Sequence, residues 1–153
     1  MVRYVRDIMS SEVISLSPES KVISAAKKMA SKNISSVIVT VKKKPIGIIT
    51  ERDMIKRVLT PKKDPELLTL KEIMTLNPVC LSPDSTVVQA AKLMKKNGFR
   101  RFPVVEKDIL VGIVTETDIL DGLVDTIKHL NWKLVNTRMA MEEFMKQIEQ
   151  LLG

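Results

Sequence analysis

The chain has 153 residues, of which 44% are hydrophobic and 28% are charged, and this length and composition fit one compact folding unit with a buried core. They exclude a large multidomain enzyme, a disordered tail and a collagen-like fibre. The formal net charge of +7, from 25 Lys+Arg against 18 Asp+Glu, favours anionic partners such as nucleotides, nucleic acids or acidic membranes.

Cysteine and histidine are nearly absent from the sequence. Cys80 is the only cysteine and His129 the only histidine, which excludes an internal disulfide and any metal site with two His ligands. The N-terminus lacks the apolar core of a signal peptide, and no apolar run approaches the roughly 18 residues of a membrane span. We therefore expect a cytoplasmic protein that does not insert into a membrane.

An internal repeat is the most informative feature of the chain. Residues 5–55 align without a gap on residues 70–120, at a constant offset of 65, and 18 of the 51 aligned positions are identical. The sequence therefore predicts two copies of one structural unit, which we place at residues 3–60 and 70–122, with a polar linker at 61–69 that contains Pro61 and Pro65.

In chain order, each copy predicts a short strand, a helix, a β-hairpin and a second helix. Ser17-Pro18 and Ser82-Pro83 are expected to start the first helix, with serine as the N-cap and proline at the first helical position. Asn33 and Asn97-Gly98 should end it. β-Rich runs at 37–41 and 46–49, and at 102–105 and 110–114, predict the hairpins.

The segments 47–53 and 112–118 read Gly-Ile-Ile-Thr-Glu-Arg-Asp and Gly-Ile-Val-Thr-Glu-Thr-Asp, and each joins a strand to a helix. One interpretation is a capping box, in which threonine and the later aspartate satisfy free backbone N–H groups. The other is an anion site, since a helix N-terminus attracts phosphate and an acidic side chain can accept ribose hydroxyls. The two interpretations are compatible.

This tandem pattern, with Ser-Pro, a V-x-x-A-A-K-x-M helix, a hairpin and G-I-[IV]-T-E-x-D in each copy, resembles a pair of CBS domains, named after cystathionine β-synthase. The resemblance covers residues 3–122. It implies an α+β fold, the α/β-type CBS fold, in which two β-α-β-β-α repeats pack with pseudo-twofold symmetry. It also implies two clefts that bind adenosyl compounds, namely AMP, ADP, ATP or S-adenosylmethionine, and a regulatory role without catalytic residues, a required cofactor or a metal.

The resemblance implies a set of binding residues in each cleft, formed across the two repeats. One cleft is expected to combine Ser10, Ile14 and Ile34 with Arg100, Arg101, Thr115 and Asp118, and Pro103 falls in the same family segment as the two arginines. The other is expected to combine Thr75, Val79 and Phe99 with Ser36, Thr50, Arg52 and Asp53.

Charge distinguishes the two predicted clefts. Arg100 and Arg101 stand where the first repeat has Ser35 and Ser36, and arginine binds phosphate through a planar, charge-assisted fork. We therefore predict unequal affinities, with the arginine-containing cleft better suited to a polyphosphate. The alternative is that the two arginines are a solvated charge pair at the start of a strand.

Residues 123–153 lie beyond the repeat and predict an amphipathic helix. Its apolar residues are spaced in alternating steps of three and four, and Thr137 is the one polar residue in the series. The apolar members are Ile127, Leu130, Leu134, Met141, Phe144, Ile148 and Leu151. This heptad pattern favours oligomerisation, as a homodimer or larger homo-oligomer. The alternative is a helix that folds back on its own domain.

Taken together, the sequence predicts a nucleotide-sensing module that changes shape or partner affinity when an adenosyl ligand binds, with an unidentified effector protein as a further possible partner. A nucleic-acid-binding protein is the second hypothesis, supported by the +7 charge but by no motif. An enzyme is the least favoured class, because neither copy places a general base beside a nucleophile.

Overall fold

The computed structural model describes residues 2–152, with side chains described for residues 2–148. A single turn of 3-10 helix at Val5–Asp7 precedes the first strand. The helices are α1 Val22–Lys32, α2 Glu51–Met54, α3 Leu70–Ile73, α4 Val87–Asn97 and α5 Glu116–Leu152, and a π-helical segment, Ile55–Leu59, continues α2. The strands are β1 Ser15–Leu16, β2 Ser36–Val41, β3 Lys44–Thr50, β4 Thr75–Leu76, β5 Arg101–Glu106 and β6 Ile109–Thr115.

Two sheets carry the predicted pseudo-symmetry. The first has the order β1-β2-β3-β4, with β1 parallel to β2 and the other pairs antiparallel. The second consists of β5 and β6, and isolated bridges extend it on both sides, from Leu81 to Val104 and from Ser10 to Ile113. Each repeat therefore contributes the same arrangement, which confirms the predicted α+β fold.

The predicted helix starts were wrong by four residues. α1 begins at Val22 and α4 at Val87, while Ser17 and Ser82 each accept a backbone hydrogen bond from the residue three positions later. The Ser-Pro pairs therefore form turns, a role that serine and proline also favour. In the second repeat Thr86 is the actual N-cap, because its hydroxyl oxygen accepts a hydrogen bond from the backbone N–H of Gln89 at 3.1 Å.

Both hairpins form where the sequence predicts them. The two turn residues, Lys42 and Lys43 in the first hairpin and Lys107 and Asp108 in the second, all have positive φ, as the two-residue type I′ turn requires. The two turns also meet each other across the repeats. The backbone N–H of Leu110 donates to the carbonyl of Lys43 at 2.9 Å, next to an ion pair of 3.2 Å between Lys44 and Asp108.

The two repeats exchange the segments that precede them. Val5 is completely buried in the core of the second repeat, with Phe102 and Val114, and the 3-10 turn hydrogen-bonds to the 83–85 loop. Leu70 and Ile73, from the start of the second repeat, are buried in the core of the first. Each core is therefore completed by residues that the sequence assigns to the other copy.

The C-terminal helix is not a separate element. α5 runs without a break from Glu116 to Leu152, so the second helix of the second repeat continues directly into the predicted tail. Gly122 lies inside this helix and does not interrupt it. An added Cβ at this position would lie 3.2 Å from Ile8 and 3.3 Å from Val87, so the absence of a side chain allows the helix to pack closely there. None of the helices in the described chain combines the length and apolar character that crossing a membrane requires.

Candidate ligand-binding site

The first strand of each hairpin begins beside the N-terminus of a helix. In the antiparallel registers, Ser36 at the start of β2 lies opposite Thr50, and Arg101 at the start of β5 lies opposite Thr115. Each threonine then precedes α2 or α5. Hydroxyl and guanidinium groups are thereby placed next to helix N-termini. Some of the N–H groups there are already used, since those of Glu51 and Glu116 donate to the carbonyls of Ser35 and Arg100, at 3.2 and 2.8 Å.

Both capping boxes predicted by the Thr-x-x-Asp motif are present. The carboxylate oxygen Oδ2 of Asp118 accepts hydrogen bonds from the backbone N–H and the hydroxyl of Thr115, both at 2.7 Å. Asp53 accepts the same pair from Thr50, at 2.9 and 2.8 Å. The two boxes differ in one respect, since Oδ1 of Asp53 also lies 3.6 Å from the guanidinium of Arg57, and Gly122 occupies the equivalent position in the second repeat.

A pocket of about 210 Å³ opens between the two repeats. Its walls combine apolar side chains from both copies with hydroxyl, amide, carboxylate and guanidinium groups. The lining residues are Glu12, Val13, Ile14, Asn33, Ile34, Ser35, Ser36, Arg101, Ile113 and Thr115. The structure therefore brings together four predicted residues of the first cleft, Ile14, Ile34, Arg101 and Thr115, and adds Ser36, which the sequence assigned to the second.

Arg101 is the only cation in the pocket lining, and its electrostatic situation is unusual. Burial lowers the pKa of Arg101, the nearby Glu51 carboxylate opposes this shift, and the Arg100 charge adds to it. Arginine nevertheless remains protonated in proteins. Within residues 2–148, whose side chains the structure describes, no carboxylate forms an ion pair with Arg101. A half-buried cation therefore faces the pocket, with Glu51 close enough to act on its charge but not in direct contact with it.

Arg100 is placed elsewhere. Its side chain is 80% exposed and lies 3.7 Å from Glu116, and it lines a different groove together with Phe99 and Leu120. Arg100 precedes β5, which begins at Arg101, and of the two arginines only Arg101 lines the pocket. The structure does not bring Arg100 to Arg101 as a paired phosphate fork.

The other predicted residues lie around the pocket or away from it. Ser10 is exposed and exchanges two backbone hydrogen bonds of 2.9 Å with Ile113, which is a pocket residue. Pro103 is buried in β5 opposite the same isoleucine. Thr75 in β4, Val79 and Arg52 are all exposed. The structure thus leaves the second predicted cleft as a prediction.

Sequence reasoning missed four residues that matter to this pocket. Glu12, Val13 and Ile113 line it, and Glu51 acts on the charge of Arg101. Ile113 had a detectable signal, because it alternates with the buried Gly112 and Val114 and so points to the other face of β6. Glu51 and Glu12 had none, since their proximity to the second repeat arises only when the two copies pack. No group of metal-ligating side chains occurs in the described part of the chain.

The fold and site define a tandem module in which two β-α-β-β-α repeats enclose a pocket. The CBS domain family model matches residues 5–60 and 70–125, and the chain belongs to the CBS domain family.

Relatives and solved structures agree with this assignment. An uncharacterized protein of Methanopyrus kandleri is 40% identical over 118 residues, covering 76% of this chain and 60% of the relative. An uncharacterized protein of Methanocaldococcus jannaschii is 33% identical over 148 residues, covering 94% of this chain and 52% of the relative. The chain thus spans somewhat more than half the length of these relatives. A CBS domain pair solved in complex with 5′-methylthioadenosine and S-adenosyl-L-methionine superimposes with a TM-score of 0.73 at 31% identity, covering 82% of this chain and 99% of that one.

Proposed function

We propose that this protein is a regulatory module that binds an adenosyl ligand in the pocket between its repeats. The observation that carries the proposal is Arg101, a half-buried cation in a pocket of mixed polar and apolar lining that forms no direct ion pair among the described side chains. A buried charge is costly unless it is paired. A ligand with one anionic group and one flat apolar group would remove that cost and fill the pocket.

The remaining pocket residues suit the other parts of such a ligand. Ile14, Ile34 and Ile113 offer apolar surface to an adenine ring. Asp118 is not part of the lining, but it hydrogen-bonds to the lining residue Thr115 and uses only Oδ2 for that capping box. Its Oδ1 can therefore accept a hydrogen bond from a ribose hydroxyl that extends beyond the lining, as acidic residues do in dinucleotide-binding folds. The anionic group, a phosphate or the carboxylate of S-adenosylmethionine, would then lie at Arg101.

The size of the pocket supports a regulatory action. Ligand pockets typically measure about 300–1,000 Å³, and this pocket measures about 210 Å³. A nucleoside-sized ligand must therefore widen the gap between the repeats or leave part of itself outside. Widening the gap would move one repeat relative to the other, and a partner protein could detect that movement.

The solved CBS pair with 5′-methylthioadenosine and S-adenosyl-L-methionine supports the same ligand class, since the two proteins are 31% identical over 82% of this chain. For the second predicted cleft, the contact between Asp53 and Arg57 leaves its carboxylate less able to accept a ligand hydroxyl. We therefore propose that the Arg101 pocket binds more tightly than the site at Thr50, Arg52 and Asp53.

A thermal-shift screen with AMP, ADP, ATP, S-adenosylmethionine and 5′-methylthioadenosine tests this function. A ligand that binds only the folded state stabilises it by about 2.7 kcal/mol at 100 times its Kd, so at least one compound should raise the melting temperature by several degrees. Stabilisation by none of them, with tight and strongly salt-dependent binding of RNA or DNA, would favour the nucleic-acid hypothesis instead.

A further inference from the structure

The part of α5 beyond the second repeat presents a long apolar face that none of the side chains described for residues 2–148 covers. At 1.5 Å per residue, the 37-residue helix is about 55 Å long. Each described side chain from Leu130 to Gln147 is exposed, including Leu134 at 68% and Phe144 at 56%. The helix therefore does not fold back on its own domain over these residues.

The apolar positions follow the heptad pattern through the whole helix, starting inside the repeat. The seam runs in alternating steps of three and four through Leu120, Leu123, Ile127, Leu130, Leu134, Thr137, Met141, Phe144 and Ile148. The predicted seam position Leu151 lies outside the described side chains. A strict repeat of this kind is typical of a helix that packs along another helix.

The flanking residues argue against a parallel pair. In a parallel coiled coil, the residues just outside the seam meet those of the next heptad on the partner helix. Lys133 of one helix would then lie beside Arg138 of the other, and two like charges would repel. An antiparallel pair centred between residues 135 and 136 instead brings each flanking position towards the equivalent flanking position of the other helix, about two residues from the level directly opposite. Lys133 then lies nearest Ala140, and Val124 lies nearest Met145.

The antiparallel register also gives better charge and apolar complementarity. Residues 126–138 carry three basic and no acidic side chains, whereas residues 139–152 carry three glutamates and one lysine. The antiparallel pair therefore sets the basic half of each helix alongside the acidic half of the other, which favours this register through the overall charge of the two halves. It also aligns the seam from end to end, with Leu123 opposite Ile148 and Ile127 opposite Phe144.

An apolar groove lies where this register brings the C-terminal end of the other helix. The groove, of about 400 Å³, is formed by α4 and α5 and is lined by Met94, Phe99, Leu120 and Leu123 among others. Phe99 is 46% and Leu120 56% exposed, although both are large apolar side chains. The groove and the seam share Leu120 and Leu123, so they form one continuous apolar surface.

We propose that a second copy of this chain covers that surface, with the two α5 helices antiparallel and the C-terminal end of each helix at the Phe99 groove of the other copy. This assembly does not depend on the ligand pocket, because the seam residues and the pocket lining have no member in common.

Sedimentation equilibrium of the full chain tests the second copy. We expect the wild type to sediment as a dimer and Leu130→Glu as a monomer. Met139→Glu is the matched control, because Met139 is a similarly exposed apolar residue on the outer face of the same helix and its replacement should leave the dimer intact. A monomeric wild type, or a dimer that Met139→Glu disrupts and Leu130→Glu does not, would overturn the proposal.

Disulfide cross-linking tests the orientation, in a Cys80→Ser background that removes the natural thiol. Ile127→Cys and Phe144→Cys chains, mixed and allowed to exchange, should form a mixed disulfide. A disulfide between two Ile127→Cys chains, or no disulfide in the mixture, would contradict the antiparallel register. Adenosyl-ligand binding by Leu130→Glu should be unchanged, so this proposal and the proposed function can fail separately.

Discussion

Gly98 ends α4 and Asn33 ends α1, and both residues adopt the left-handed backbone conformation, with φ of 65° and 52° respectively. Glycine and asparagine accept this conformation at low cost, whereas other residues lose roughly 1–2 kcal/mol. We expect Gly98→Ala to lower the free energy of unfolding by about 1 kcal/mol. No heavy atom lies within 4 Å of the added Cβ, so the lost stability would come from backbone strain and not from a steric clash.

The chain provides its own control for this prediction. Gly98→Asn copies the residue that the first repeat uses at the same position, so its stability in urea denaturation should stay close to that of the wild type. Equal losses for the alanine and asparagine variants would show that backbone conformation is not what selects glycine here.

Gly112 is required for a different reason. A Cβ at this position would lie 2.7 Å from Sδ of Met9 and 3.0 Å from the carbonyl oxygen of Ser10, and that carbonyl accepts the hydrogen bond that joins residue 10 to β6. We expect Gly112→Ala to destabilise the protein by about 1–3 kcal/mol, the usual cost of overpacking. Chemical denaturation measures this loss, and a variant as stable as the wild type would contradict the close packing.

At the level of secondary-structure elements, the Thr-x-x-Asp motif has a structural role that is independent of any ligand. Asp118 caps α5 through the backbone N–H and the hydroxyl of Thr115. We expect Asp118→Ala to lower the unfolding free energy by about 0.3–1.5 kcal/mol in the absence of ligand, because it removes half of the capping box. Asp118→Asn retains an acceptor oxygen and should lose less. A ligand-free Asp118→Ala protein with unchanged stability would mean that the carboxylate serves binding alone.

Much of the element order could be predicted from the sequence, because its signals were local. Asn33 and Gly98 end helices, and Thr50 and Thr115 begin them, through contacts within four residues of the chain. Two local signals were ambiguous. Ser17-Pro18 fits a helix start and a turn equally well, and Gly122 is typical of a helix end but here allows close packing inside α5.

The site was harder to predict, because it depends on the packing of one repeat against the other. Arg101, the first residue of β5, lines the pocket, whereas its neighbour Arg100, just before the strand, lines the groove between α4 and α5. The effect of Glu51 on Arg101 joins residues 50 positions apart. No local pattern contains that information, so the sequence predicted the motif but not which side chains meet.

At the level of the whole molecule, the exchange of N-terminal segments makes the two repeats interdependent. Val5 is fully buried in the core of the second repeat and Leu70 in the core of the first. We expect a chain that begins at Ser11 to lose protection from hydrogen exchange mainly in residues 87–115, although the deleted residues belong to the first copy in sequence. A loss of protection confined to the first repeat would contradict the conclusion that residues 2–10 complete the core of the second repeat.

The central claim is that Arg101 supplies the charge that recognises an adenosyl ligand. Calorimetric titration of AMP, S-adenosylmethionine and 5′-methylthioadenosine tests it, because the first carries a phosphate, the second a carboxylate and the third neither. A charge-assisted hydrogen bond contributes about 1.5–3 kcal/mol, so Arg101→Ala should weaken binding of the first two ligands by about tenfold or more and leave the third within about twofold. Arg100→Ala, the matched control, should change none of the three affinities. Undiminished binding of AMP and S-adenosylmethionine by Arg101→Ala, or an equal loss in Arg100→Ala, would contradict the account.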